Sequence, residues 1–154
     1  MKIHVICIGK TNAPYLKEGI AIYMQRLVHY CKMEWTEIKD VGAFEPELLK
    51  VREGEQILKI TRPDDQVFLL DERGSSFTSR KFADFIQKKM NSGAKTLVLV
   101  IGGAFGFSDA VYNRAQGKIA FSEMTFSHEM IRLLLAEQLY RGFTILKGES
   151  YHHD

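Results

Sequence analysis

Apolar residues fill the first strand-like stretch almost without a break. Between Lys2 and Ile8, Val5, Ile6, Cys7 and Ile8 run together, the pattern of a strand covered on both faces in a parallel sheet. Asn12 stands as a cap before a helix with Pro14 in its first turn. Leu16, Ile20, Tyr23, Met24 and Leu27 recur there at three- and four-residue steps and form one stripe. The period then changes to two. Met33, Trp35 and Glu37 alternate with Glu34, Thr36 and Ile38, which predicts a less buried, peripheral strand. Residues 41 to 46 read as loop. Helix formers dominate from Glu47 to Ile60, interrupted by Gly54, and Arg62-Pro63-Asp64-Asp65 ends that run in a turn.

The second half repeats the alternation. Val67-Phe68-Leu69-Leu70 is a short, wholly apolar strand, followed by polar turn residues from Asp71 to Ser76. Thr78 or Ser79 caps a helix with Phe82, Phe85, Ile86 and Met90 on one face, ending near Gly93. Thr96 to Ile101 is a further buried strand. Gly102-Gly103-Ala104-Phe105-Gly106 then leads to Ser108 and a short helix, and Lys118 to Phe121 reads as one more strand. The last helix, Ser127 to Arg141, has Met130, Ile131, Leu133, Leu134, Leu135, Ala136, Leu139 and Tyr140 around most of its circumference. One sheet cannot bury all of these, so a second surface must.

Strands alternating with helices predict an α/β fold: a mainly parallel sheet with helices on both faces, in one domain spanning 1–154. With 45% hydrophobic and 26% charged residues the chain has the composition of a globular protein, not of a disordered chain or a rod. No apolar run approaches the roughly 20 residues of a membrane helix, and the N-terminus lacks the features of a secretory signal. The expectation is a cytoplasmic protein with no membrane partner. Lysine plus arginine, 21, against aspartate plus glutamate, 19, leaves +2, which neither demands nor excludes RNA. Cys7 and Cys31 have no second thiol or histidine at ligand spacing. They read as reduced, buried thiols, and no metal is expected.

In an open sheet of this kind ligands sit beyond the carboxyl ends of the strands, so the loops after Leu70, Ile101 and Phe121 are the candidates for chemistry. Gly102 and Gly103 would let a ligand approach the backbone, or would simply make a tight turn. A dinucleotide fingerprint needs its glycines after the first strand, where a lone Gly9 stands; neither that class nor a phosphate-binding loop is expected. Asp71-Glu72-Arg73 is either a solvated turn or a group in which Arg73 clamps a phosphate and an acid accepts a proton. Phe121 to His128 mixes apolar and hydroxyl side chains suited to an adenine or a thioether. His128 itself reads better as a cap or packing residue. Glu137 and Arg141 stand at i, i+4, a spacing that a surface ion pair explains. Tyr151-His152 at a flexible end suits base stacking and proton movement.

Taken in order, Leu70-Asp71-Glu72-Arg73-Gly74, Ile101-Gly102-Gly103-Ala104-Phe105-Gly106, Ser122-x-x-Thr125-x-x-His128, Glu137-Gln138-Leu139-Tyr140-Arg141 and Tyr151-His152 closely resemble the RlmH (YbeA-like) family of SPOUT methyltransferases along the whole chain. The resemblance implies a deep trefoil knot on the C-terminal side, a rare exception to unthreaded topology. It also implies a homodimer, with S-adenosyl-L-methionine as cofactor. The implied reaction is methylation of N3 of a pseudouridine in the helix-69 hairpin of 23S rRNA within the assembled ribosome. Carried onto this sequence, it makes Leu70, Gly102, Gly103, Phe121, Ser122, Glu123, Met124, Thr125 and Phe126 the cofactor residues. Arg141, Tyr151 and His152 become the catalytic ones, with His152 as proton acceptor.

One departure stands at the end: family members often place a basic residue after Tyr-His, whereas this chain has His153-Asp154. The resemblance therefore carries no terminal phosphate contact here, and the small net charge favours recognition of a composite ribosomal surface over free RNA. The rivals are a knotted methyltransferase for transfer RNA, a non-catalytic ribosome-binding module and a flavodoxin-like redox protein. Ribosome dependence, cofactor binding without turnover, and flavin binding respectively separate them.

Overall fold

A computed structural model describes residues 1–153. The elements are β1 (Lys2–Ile8), α1 (Pro14–Leu27), β2 (Lys32–Ile38), α2 (Pro46–Ile60), β3 (Gln66–Ser76), α3 (Ser79–Asn91), β4 (Thr96–Ile101), α4 (Asp109–Arg114), β5 (Gly117–Ala120) and α5 (Met130–Leu146). The strands form one sheet in the order β2-β1-β4-β3-β5, with every pairing parallel.

The buried strands divide their side chains between two cores, as a period of two requires. Ile3, Val5, Cys7, Leu97, Leu99 and Ile101 meet Leu27, Phe82, Ile86, Leu135, Leu139 and Phe143 of α1, α3 and α5 on one face. Ile6, Ile8, Val67, Leu69, Val98 and Val100 meet Ile57 of α2 and Val111 of α4 on the other. β2 is an edge strand with only intermediate and exposed positions, as its alternation predicts.

Several boundaries differ from expectation. α1 is not capped by the Asn12 side chain. Its N-cap is Ala13, and the amides of Asn12 and Ala13 instead donate to Glu129, from the far end of the chain. Gly54 does not interrupt α2, which runs unbroken from Pro46; the missing side chain lets α4 approach, since a Cβ there would lie 2.5 Å from the Ser108 hydroxyl. Thr78 caps α3 and Ser108 caps α4 through their hydroxyls. Cys7 is buried but Cys31 only partly so.

The largest correction concerns β3, which continues to Ser76 instead of ending at Leu70. Its register with β5 breaks between Leu70 and Ser75, which both face Ile119, so Asp71 to Gly74 bulge out of the ladder. Where the strand rejoins, Gly74 lies directly on the β5 backbone: a Cβ would come within 2.6 Å of the Ile119 nitrogen. Only glycine permits that approach.

α5 begins at Met130, not Ser127, and runs on to Leu146. Because the loop from Phe121 to Glu129 leaves the carboxyl end of β5, α5 returns antiparallel to the strands, wedged between α1 and α3. Those flanks and the sheet supply the second surface that its composition requires; Leu135, Ala136, Leu139 and Phe143 are buried, while Leu133 and Leu134 stay partly exposed. Among the described residues no helix is long and apolar enough to cross a membrane, and no group of three or more His, Cys, Asp and Glu could hold a metal ion.

Candidate functional site

The carboxyl ends of β4 and β5 and the bulged middle of β3 open into a cleft of about 930 Å³. Leu70, Ile101 and Ile119 line it together with the turn from Gly102 to Phe107 and residues 121, 122 and 124 to 128. Of the residues expected to hold a cofactor, Leu70, Gly102, Gly103, Phe121, Ser122, Met124, Thr125 and Phe126 all line this cleft. Glu123 does not; it is exposed outside the lining.

The turn after β4 is closed by an antiparallel bridge between Gly103 and Gly106, and the Gly106 amide donates to the Gly103 carbonyl. Gly106 adopts φ +82°, a conformation that favours glycine. Behind the turn lies Glu53, only 7% exposed, whose carboxyl burial pushes towards its neutral form, with Asp40 adding to the shift. Its oxygens stand where a Cβ on Gly103 would fall, at 2.8 Å.

The bulge of β3 supplies polar residues to the same cleft. The Tyr112 hydroxyl donates to Asp71 Oδ2 at 2.5 Å, and Arg73 donates to both Tyr112 and Asp71. Burial alone would raise the Asp71 carboxyl, but the hydrogen bonds from Tyr112 and Arg73 together outweigh it and hold the group below the ordinary carboxylate range. The solvated segment with a local ion pair is what the structure shows, Glu72 and Arg73 being exposed, and the bond to Tyr112 adds an anchor outside it.

His128 neither caps α5 nor packs inside; its exposed side chain lines the cleft, and Ser127 receives the Met130 amide instead. Its carbonyl accepts from Arg132 Nε at 3.1 Å. Sequence reasoning missed Arg132 altogether. Its side chain is fully buried, with Nη1 donating to the Gly9 carbonyl and the Thr11 hydroxyl and Nη2 to the Ile8 carbonyl. Glu37 stands 3.7 Å away and also accepts from the Thr11 hydroxyl and amide. One guanidinium thus fastens the end of the 121–129 loop to the end of β1. A cation within the apolar first turns of the helix, Met130 to Ala136, was the signal available in the sequence.

Gly9-Lys10-Thr11 carries the ending of a P-loop signature, but the glycine required five residues before Gly9 is His4. Thr11, 3% exposed, is occupied by Glu37 and Arg132, so this loop is no phosphate cradle.

Arg141, Tyr151 and His152 do come together, but away from the cleft. Arg141 donates to Glu137 Oε1 through Nε at 2.9 Å and Nη2 at 2.5 Å, and the Tyr151 hydroxyl donates to the same oxygen at 3.1 Å. Arg141 Nη1 lies 3.1 Å from His152 Nδ1. Arginine can only donate, so Nδ1 is the acceptor in this bond. Tyr151 packs edge-on against Tyr140 and lies beneath the Arg141 guanidinium. The tail is therefore docked through residue 152, against the expectation of a flexible end. Burial, then Tyr23 and Glu137, raise the Tyr151 hydroxyl well above the ordinary phenol range. Ten residues of helix separate Ile131 at the cleft from Arg141, about 15 Å at 1.5 Å per residue, so the cluster and the cleft of one chain do not share reacting atoms.

A strand-end cleft with a glycine turn, floored by three parallel strands and closed by the loop into α5, agrees with a family model described as "Predicted SPOUT methyltransferase", which matches residues 1–152; the chain belongs to that family. It is 54% identical to the ribosomal RNA large subunit methyltransferase H of Cytophaga hutchinsonii, across 99% of this chain and all of that one. It is 51% identical to the protein of the same name from Christiangramia forsetii, across 99% of each chain, and 42% identical to that of Geotalea daltonii, across 99% of this chain and all of the relative.

Proposed function

We propose that this protein transfers a methyl group from S-adenosyl-L-methionine to N3 of a pseudouridine in the helix-69 hairpin of 23S rRNA on the assembled ribosome. The observation that carries the reading is the strand-end cleft, whose size lies in the range of small-molecule sites. Its apolar floor of Leu70, Ile101 and Ile119 suits an adenosine, main chain from 102–103 and 121–126 can read the polar edge, and Asp71 and Asp109 suit a cationic ligand. When bound, the cofactor supplies an electrophilic methyl on a sulfonium. The protein's part is to hold donor and acceptor in line and to accept the N3 proton. We read the enzyme as cytoplasmic, where ribosomes are found, and the chain path through the 121–129 loop as the family's trefoil knot.

The working unit is a homodimer in this reading. Leu133, Leu134, Gln138 and Arg141 stand partly exposed on α5. A two-fold contact that pairs this helix antiparallel with its copy brings one chain's Arg141, Tyr151 and His152 beside the other's cleft. His152 takes the N3 proton once Nδ1 is released from Arg141, Tyr151 orients the base, and Arg141 stabilises charge. The test is mass spectrometry of the helix-69 fragment after incubation of the protein and cofactor with ribosomes lacking the modification. One added methyl on the pseudouridine is the expected result; none, with cofactor binding intact, would turn attention to transfer RNA or to a non-catalytic module. His152→Ala at full rate with unchanged cofactor binding would remove the base assignment.

A further inference from the structure

Three large apolar side chains stand exposed around the cleft: Phe105 at 54%, Met124 at 76% and Phe126 at 39%. Single exposed apolar residues are ordinary, but three from two separate segments on one cleft are a local concentration. Met124 and Phe126 lie in the segment assigned above to the cofactor. Phe105 does not.

The turn that carries Phe105 is held on both sides. Gly103 and Gly106 pair across it, and the next residue, Phe107, is buried against Tyr112 with ring centroids 5.7 Å apart. The aromatic ring is thus displayed by an anchored turn at the cleft, not by a loose loop. On the same cleft stands Arg73, whose side chain is 66% exposed even while it bonds Asp71 and Tyr112. An exposed ring and an exposed guanidinium on one cleft match a nucleotide: one flat face to stack and one phosphate to meet.

We propose that Phe105 is the platform on which an unpaired base of the RNA substrate stacks as it enters the cleft, with Arg73 meeting an adjacent phosphate. The inference rests on the RNA reading above and adds the residue that grips the base. Being exposed and outside the catalytic cluster, Phe105 can be replaced without disturbing either core.

The test compares Phe105→Ala, Phe105→Leu and Phe105→Trp in methyl transfer to ribosomes lacking the modification, beside calorimetric binding of S-adenosyl-L-methionine. Loss of one stacked base predicts a KM for ribosomes raised roughly 5- to 100-fold in Phe105→Ala. Cofactor affinity should be unchanged, Phe105→Trp close to wild type and Phe105→Leu only partly restored. An unchanged KM in Phe105→Ala would overturn the proposal. So would full restoration by leucine, which shows packing without stacking, or an equal loss of cofactor affinity, which moves the ring into the cofactor site. If the wild type itself transferred no methyl to ribosomes, the reading under Proposed function would fall. The Phe105 assignment would then be judged on fluorescence anisotropy with oligouridylate: weaker binding by Phe105→Ala supports it, and equal binding refutes it.

Discussion

The two ends of α5 hold an arginine each, and they hold it differently. At the start, Arg132 is wholly buried and its donors go to three main-chain carbonyls and a threonine hydroxyl. Nine residues later, Arg141 keeps about a quarter of its side chain exposed and spends its donors on one carboxylate and one imidazole. Carbonyls cannot titrate or leave, so the first cation is structural. The second is held by side chains alone, and the proposed function makes it part of the reacting centre. In that reading the same side chain on the same helix serves once as a fastening and once as a tool.

That division can be broken most severely at Arg132. Arg132→Met removes the cation from a dry site and orphans the Ile8, Gly9 and His128 carbonyls, and about 3–5 kcal/mol of stability should be lost in urea unfolding. A loss under 1 kcal/mol would show that water replaces the guanidinium. Next comes the rim of the cleft: Gly74→Ala drives a Cβ into the β5 backbone and should cost about 1–3 kcal/mol, with weakened cofactor binding as the bulge shifts. At the other end, Glu137→Gln should change stability by less than about 1 kcal/mol. Methyl transfer should nonetheless fall by about 100-fold, because glutamine keeps an acceptor oxygen but not the charge, and the charge-assisted bonds that align Arg141 and Tyr151 weaken. Equal effects on stability and rate would erase the contrast between the two ends.

The smallest effect is in pH, and its sign differs between the ends. At the cleft, Asp71 has a lowered pKa, so its contribution is present above the ordinary aspartate value and disappears as pH falls through the folded one. At the tail, the hydrogen bond to Glu149, with burial second, pushes Tyr30 up to about 12. Its contribution is complete below the ordinary phenol value and lost as pH rises through 12. Acid should therefore loosen the cleft end first and alkali the tail end. Hydrogen exchange of amides at 71–74 and 147–152 across pH checks the order; exchange rising at both ends in the same limb would contradict it.

Patterning made the sheet readable because each buried strand, such as Thr96 to Ile101, is apolar on both faces and bounded by turn residues. The loops with chemistry were readable for the same reason: strand ends fix where a cleft opens, which located Leu70, Gly102 and Phe121. What patterning could not show was whatever depends on main chain far away. Arg132 was passed over because its partners at Ile8 and Gly9 are main-chain carbonyls, which leave no mark in the sequence. The end of β3 was misread because Asp71 to Gly74 have turn composition, and only the register with β5 shows that the strand resumes. The docking of Tyr151 needed Glu137 and Tyr140, which a helix turn explains equally well without it.

Arg132 also sets a timetable. It ties residues 8–11 to 128–132, so one buried guanidinium links the end of the first strand made to the start of the last helix made. During synthesis, β1 can pair with β2 and later β4 while the cleft still lacks its closing loop, since long-range contacts wait for loop closure. The cleft is then completed late, only when the chain through residue 132 has left the machine that builds it.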